Sequence, residues 1–547
     1  MTVDAIFTQT SRDETLPESR MLGLAYYGDN IISGSCGLIS FLKDNPEFDI
    51  ERLSEGRFLV VASTARKSII KVDDLAQNTV FVYRSNGYWA ISNSLLTLVY
   101  RLKKDGVPIK FYRPGVLSFF AGNQSMWGGQ PLSLNTLIEG VSILPAGCHL
   151  EITKNHAGTP VLKQIEPAPK DLDESNYAER LVQWVRRARM RLEAMAAHGV
   201  EFNVGVSGGM DSRLNLGLVN ALRDPTLPVR LRSDKSKSQD LPIAEQLAAH
   251  YGLKLKGFPD RGWGSSDTED AYALWQRAYL GVYLPAQTPH GLSPEQSRYI
   301  LHGGNFKDRS YRRHGVDKRA RILSRAFTSQ DDGKLVADEF KEFFLQRDID
   351  PSTSLAMDQH YVDTRSRFHT GVHWFGEYTS PLMTPHLSSE LFSLYRGLSS
   401  EAQNAEQLLY DMLYILDPDL TNIPFDTPDK FFSHRVRASC PFSGRVDSVG
   451  DVPEPRIYGA FEQPESPSEH KTLRESVSQR FRDDAQYFLP ELKRFGIASE
   501  RIGEVRAHLE AGGRVRQMPL ASLAVTLGVY AEAASESLPD ISLCGSS

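Results

Sequence analysis

Up to about residue 166 the apolar positions fall in short runs broken by turn residues; beyond it they recur at helical spacing. RFLVVAS (57–63), TVFVYRSNGYWAISNS (79–94) and CHLEITKNHAGTPVLKQIEP (148–167) read as strands with turns. Asn86-Gly87, between two β-rich runs, predicts a tight hairpin, because such turns need positive φ. EPAPKDLDES (166–175) is Pro-rich and charged, the texture of a linker. Tyr177, Leu181, Trp184, Val185, Ala188, Leu192 and Met195 then line one face of an amphipathic helix. A strand EFNVGVS, a helix from about Asp211, a strand PVRLRS and a helix DLPIAEQLAAHYG follow. That β-α-β-α order predicts a parallel sheet flanked by helices. From about 385 to 535 the pattern is mostly helical, with no internal repeat and no low-complexity tract.

Composition narrows the class. A chain of 547 residues exceeds one hydrophobic core, so two or three domains are expected. With 41% hydrophobic and 24% charged residues it reads as an ordinary soluble globular protein. A formal net charge of −6 gives no general attraction to nucleic acid or acidic membranes. Cys36, Cys148, Cys440 and Cys544 are far apart, which argues against a zinc site or redox dithiol and fits a reducing cytoplasm. The N-terminus shows no basic-then-apolar leader, and apolar runs such as Phe58 to Ala62 fall far short of the roughly 20 residues of a bilayer span.

The chemistry concentrates in VGVSGGMDSRLNLG (204–217). A strand delivers the chain to the carboxyl edge of a parallel sheet, where open α/β folds bind ligands. Gly208 and Gly209 allow a tight turn and a close approach of backbone N–H groups to a ligand. The next helix aims its N-terminus at the same spot, which suits an anion such as phosphate. Asp211 fits there once Mg²⁺ bridges its carboxylate to phosphate oxygens, and Ser207 and Ser212 offer hydroxyl donors beside Val206. The plainer alternative is a strand-turn-helix with Asp211 as a helix cap.

SGGMDS is similar to the SGGxDS loop of the PP-loop ATP pyrophosphatases, and its surroundings resemble relatives of asparagine synthetase B. DLPIAEQLAAHYGL, about 29 residues after Asp211, LHGGNFKDRSYRR and EYTSPLMTPHLSSELFSLY follow in that family's order. SEGRFLVVAS, VDDLAQNTVFVY, WAISNS and ILPAGCHLEI resemble its glutaminase-type domain. The resemblance implies an α+β Ntn-hydrolase-like αββα domain over 1–168. An α/β, HUP-like synthetase domain with a helical C-terminal part would follow over 169–547. Glutamine-dependent members use an N-terminal cysteine; this chain begins Met1-Thr2-Val3 and its first cysteine is Cys36. The resemblance therefore implies an inert glutaminase relic, with Thr2 a lesser candidate nucleophile, as in relatives such as β-lactam synthetases and lasso-peptide macrolactam cyclases.

The implied reaction uses ATP and Mg²⁺ to convert a carboxylate to its adenylate, which an amine then attacks. By the same resemblance Asp211 and Asp308 hold the metal, and Gly303 and Gly304 approach the adenylate. Glu377 with Tyr361 deprotonates the amine, and Lys430 stabilises charge on the phosphate. Each has a plainer alternative: a solvated acid (Asp308, Glu377), a flexible turn (Gly303, Gly304), a core-rim tyrosine (Tyr361), a solvated lysine (Lys430). Thr379 stands where the family has arginine, and Arg309 where it often has glutamate. The basic run 307–325 reads as a solvated face rather than a grip for phosphate, acidic peptide or RNA. The expected substrate is a small-molecule or peptide carboxylate, a peptide being one that a partner protein could present. An ammonia-using asparagine synthase or a non-catalytic scaffold are the alternatives.

Overall fold

The computed structural model describes residues 6–85, 87–121, 128–156, 158–167, 176–220, 229–233, 238–257, 268–284, 298–369, 381–427, 430–446, 453–461, 471–495, 497–511 and 519–534. The protein is a mixed α/β structure built on three sheets. The first has the order β1-β7-β6-β8: Thr8–Thr10, Tyr88–Ser92, Phe81–Ser85 and Val141–Ile143, all antiparallel. The expected hairpin is its β6–β7 pair, with Ser85 opposite Tyr88 and Gly87 at φ 78°.

The second sheet runs β10-β9-β5-β4-β2-β3-β16. Its strands are Pro160–Ile165, His149–Lys154, Lys67–Val72, Glu55–Ser63, Arg20–Tyr27, Asn30–Ser33 and Arg456–Tyr458. The last comes from the far end of the chain and pairs parallel to β3. Side-chain alternation decides what lies on each face. Phe58 and Val60 of β4 pack with Leu38 and Phe41 of α1 (Gly34–Asp44) on one side. Leu59 and Val61 point the other way, toward Val82 and Ile91 of the first sheet. Phe81 and Ala90, on that sheet's far face, join Leu95, Leu98 and Val99 of α2 (Leu95–Lys104). The result is four layers, helix on sheet on sheet on helix.

The third sheet is entirely parallel: β13 (Leu255–Gly257), β12 (Val229–Ser233), β11 (Glu201–Gly205), β14 (Arg298–Leu301) and β15 (Leu382–Met383), in that spatial order. Counted from β11 the order is 3-2-1-4-5, so the winding reverses between β11 and β14. Such a reversal opens a crevice at the carboxyl ends of the two strands. The predicted amphipathic helix is α3 (Tyr177–Ala197), and α4 (Met210–Asn220) and α5 (Asp240–His250) follow β11 and β12 as expected.

The sheets are tied together by polar contacts. Arg57 Nη1 donates to the Leu382 carbonyl at 2.5 Å, and Glu55 accepts from Ser389 Oγ (2.6 Å) and the Glu390 N–H (2.8 Å). No helix among the described residues is long and apolar enough to cross a membrane.

Candidate functional site

The winding reversal places two loops side by side: 206–209 after β11 and 302–308 after β14. They line a cleft of about 930 Å³ together with Tyr361, Glu406 and Lys430.

The first loop is held from below. Arg213 of α4 is fully buried and donates to the carbonyls of Leu420 (3.0 Å), Ile423 (2.6 Å) and Pro424. Its guanidinium lies 3.7 Å from the centroid of the Phe425 ring. Burial lowers its pKa to about 10, so it keeps its charge at neutral pH. These contacts fix the segment that brings the Asp426 N–H to the Gly208 carbonyl at 3.2 Å. A Cβ on residue 208 would lie 2.4 Å from Asp426 Cβ, so the approach requires glycine.

The polar groups of the loop are largely engaged with one another. Val206 is buried, and its N–H continues the sheet by donating to Arg232 O at 2.7 Å. The Ser207 and Ser212 hydroxyls lie 3.0 Å apart, and Ser212 Oγ also accepts from the Ser207 N–H at 3.2 Å. The Gly208 N–H donates to Asp240 Oδ1 (3.1 Å) and the Gly209 N–H to Ser207 Oγ (3.2 Å), so both are internally satisfied in this conformation.

Asp211 opens onto the cleft, with Oδ1 accepting from Asn305 Nδ2 at 3.2 Å. Burial pushes its carboxyl up to about 6, with Glu406 and Asp308 adding to the rise while Asn305 and Lys307 oppose it. Gly303 presses against it: a Cβ there would lie 2.9 Å from Asp211 Cβ. Gly304 and Asp308 also line the cleft, and Asp308 Oδ1 accepts the Tyr311 N–H at 3.1 Å. Asp211 and Asp308 therefore line the same cleft. They are hard oxygen donors of the kind Mg²⁺ takes, and the raised pKa marks Asp211 as a carboxylate short of positive charge. Among the described residues, the one set of three acid or imidazole groups converging at ligand distance is Glu51, His149 and Glu151, on the second sheet and its margin.

Tyr361 lines the same cleft and is buried, at the start of a π-helical stretch, Tyr361–Ser366. Burial holds its phenol far above the usual range, so it is neutral and can only donate or accept a hydrogen bond. Glu377 and Thr379 lie outside the described residues. Lys430 lines the cleft, but its ammonium is engaged by both oxygens of Asp426 at 2.7 and 2.6 Å.

The basic run is divided: Arg313, Lys318, Arg321 and Arg325 are exposed, as a solvated face would be, whereas Lys307 and Arg319 turn inward. Arg319 is fully buried and donates to the Tyr311 carbonyl; Arg312 Nε lies 3.3 Å from Asp358. Lys307 is buried in an ion pair with Glu406. Sequence reading missed Lys307, Glu406, Asn305 and Asp426 as site residues. Glu406 carries no local signal at all; only the folded backbone, at φ 62°, turns it toward the cleft.

No protein-family model matches the chain, and no curated protein shows significant similarity to it.

Proposed function

We propose that the cleft binds ATP with Mg²⁺ and activates a carboxylate as its acyl-adenylate, releasing pyrophosphate, for capture by an amine: an asparagine synthetase-like, AMP-forming amide ligase. The observation that carries this reading is the pairing of SGGMDS and HGGNFKD, brought to one cleft by the strand-order reversal of a parallel sheet. The five-stranded sheet would be of HUP type, and the four N-terminal layers an Ntn-type relic. Cys36 lies exposed on α1, on the outer face of the second sheet, away from the interior between sheets that the relic would use.

Asp211 and Asp308 would hold the metal, whose chemistry when bound is to neutralise phosphate charge. Ser207 and Gly209 close the loop that would lie beneath the phosphates, and Arg213 holds the segment that places Asp426 against Gly208. Tyr361, as a neutral phenol, would orient the reacting groups by hydrogen bonding.

The test is ATP–pyrophosphate exchange against a panel of amino acids, dicarboxylic acids and peptides. Exchange dependent on one acid, abolished by Asp211→Ala and indifferent to glutamine, is the expected result. Exchange that survives Asp211→Ala overturns the metal assignment, and glutamine-dependent product overturns the relic.

A further inference from the structure

We infer that Lys307 is a built-in cation for the pyrophosphate end of the cleft, taking the place of a second divalent ion. Glu406 is its resting partner, which it exchanges for phosphate oxygens when nucleotide arrives. This rests on the ATP reading above and goes beyond it.

Lys307 belongs to the loop after β14, two residues past Asn305, whose side chain is bonded to Asp211. Its side chain is only 2% exposed, and that of Glu406 only 9%. A desolvated ammonium must keep an opposite charge, and a pair this buried stabilises little by itself. Here both partners line a ligand-sized cleft rather than a core. The lysine is also aimed: its ammonium sits 4.7 Å from the centroid of the Tyr395 ring. That ring is anchored by its hydroxyl, which donates to Asp358 at 3.0 Å, and Asp358 is in turn held by Arg312. Lys307 thus has a fixed direction and Glu406 as its ion-pair partner, with Asp211 and Asp358 also within its electrostatic reach.

Glu406 is strained. It is one of three non-glycine residues with positive φ among those described, and it directly precedes the helix Gln407–Leu416, whose first turn has no side-chain cap. Unusual backbone at a cleft wall holds its carboxylate against Lys307.

The donor set completes the case. Asp211 and Asp308 provide carboxylates for one divalent ion, and no third acid or imidazole group among the described residues converges with them at ligand distance. Pyrophosphate carries more negative charge than one such ion cancels. An ammonium with three donors supplies the remainder as a point charge.

Calorimetry with Mg²⁺ and three probes (ATP, inorganic pyrophosphate and AMP) tests this. Lys307→Met should weaken Mg·ATP and Mg·pyrophosphate by at least about tenfold while leaving AMP within about twofold. Lys307→Arg should retain most of the pyrophosphate affinity. Glu406→Gln should tighten pyrophosphate by about threefold or more, since Lys307 then leaves no carboxylate behind; a merely structural pair would give the opposite sign. Pyrophosphate binding unaffected by Lys307→Met, equal loss of AMP, or weakening by Glu406→Gln overturns the assignment. If Lys307→Met fails to fold, the Arg and Gln variants decide alone. Wild-type protein that binds no Mg·ATP overturns the ATP reading instead.

Discussion

Replacing Asp211 by asparagine should stabilise the protein while removing its affinity for Mg·ATP. Burial raises the carboxyl from 3.8 to about 6, a shift of about 2 units. At about 1.36 kcal/mol per unit this is about 3 kcal/mol of cost for holding the charged form at neutral pH. The side chain opens onto the cleft, so screening by solvent trims the expected gain to about 1–3 kcal/mol. Asparagine keeps an oxygen to accept from Asn305 Nδ2, so the loop contact survives. The sign of the pH dependence follows from the raised folded-state pKa. The penalty is absent below about 4, grows between about 4 and 6, and is full above that. Wild type should therefore lose stability relative to Asp211→Asn as pH rises through this window. Urea unfolding in EDTA at pH 4, 5, 6 and 7.5, with midpoints and slopes compared for the two proteins, measures it. Mg·ATP should then raise the midpoint of wild type alone. A variant equal to or less stable than wild type at pH 7.5 refutes the reasoning, because the carboxylate would then be well compensated without a ligand.

Gly208→Ala should abolish Mg·ATP binding with little loss of fold, since its Cβ would collide with Asp426 at 2.4 Å; calorimetry and circular dichroism check the two halves. Arg213→Met should cost about 2–3 kcal/mol in urea unfolding, because the buried Leu420 and Ile423 carbonyls and the Pro424 carbonyl lose their donor. Tyr361→Phe should leave Mg·ATP affinity within about twofold. It should slow amide formation by a factor that does not vary between pH 6 and 9, because the phenol stays neutral there. A pH-dependent defect would contradict that role.

Legibility in the sequence tracked locality. The β6–β7 hairpin, helix α3 and the β-α-β-α run from 201 to 250 each declare themselves through the spacing of residues near one another in sequence. Gly208 and Asp211 were visible for the same reason. What the sequence hides is pairing at a distance. Nothing near Lys307 announces Glu406, 99 residues on, and a stretch rich in arginine and lysine reads as solvent-facing until partners such as Asp358 are known. The mutual bond of Ser207 and Ser212 is equally hidden, because two hydroxyls five residues apart meet only once the turn closes. The strand at 456–458 was missed because three residues give no periodicity, and its partner lies at the other end of the chain.

That strand sets a clock on biosynthesis. Ile457 pairs with Ile31, so 426 residues must be translated between the two. At about 5–20 residues per second the edge of β3 waits roughly 20–90 s for its neighbour. An open edge displays unpaired N–H and C=O groups that template association with other chains. A nascent chain therefore carries the open edge of β3 until residues 456–458 emerge. A fragment stopping at residue 168 would carry it permanently. Soluble yield should respond to chaperone supply and elongation rate in the full chain, and a charged substitution at Ile457 should mimic the fragment.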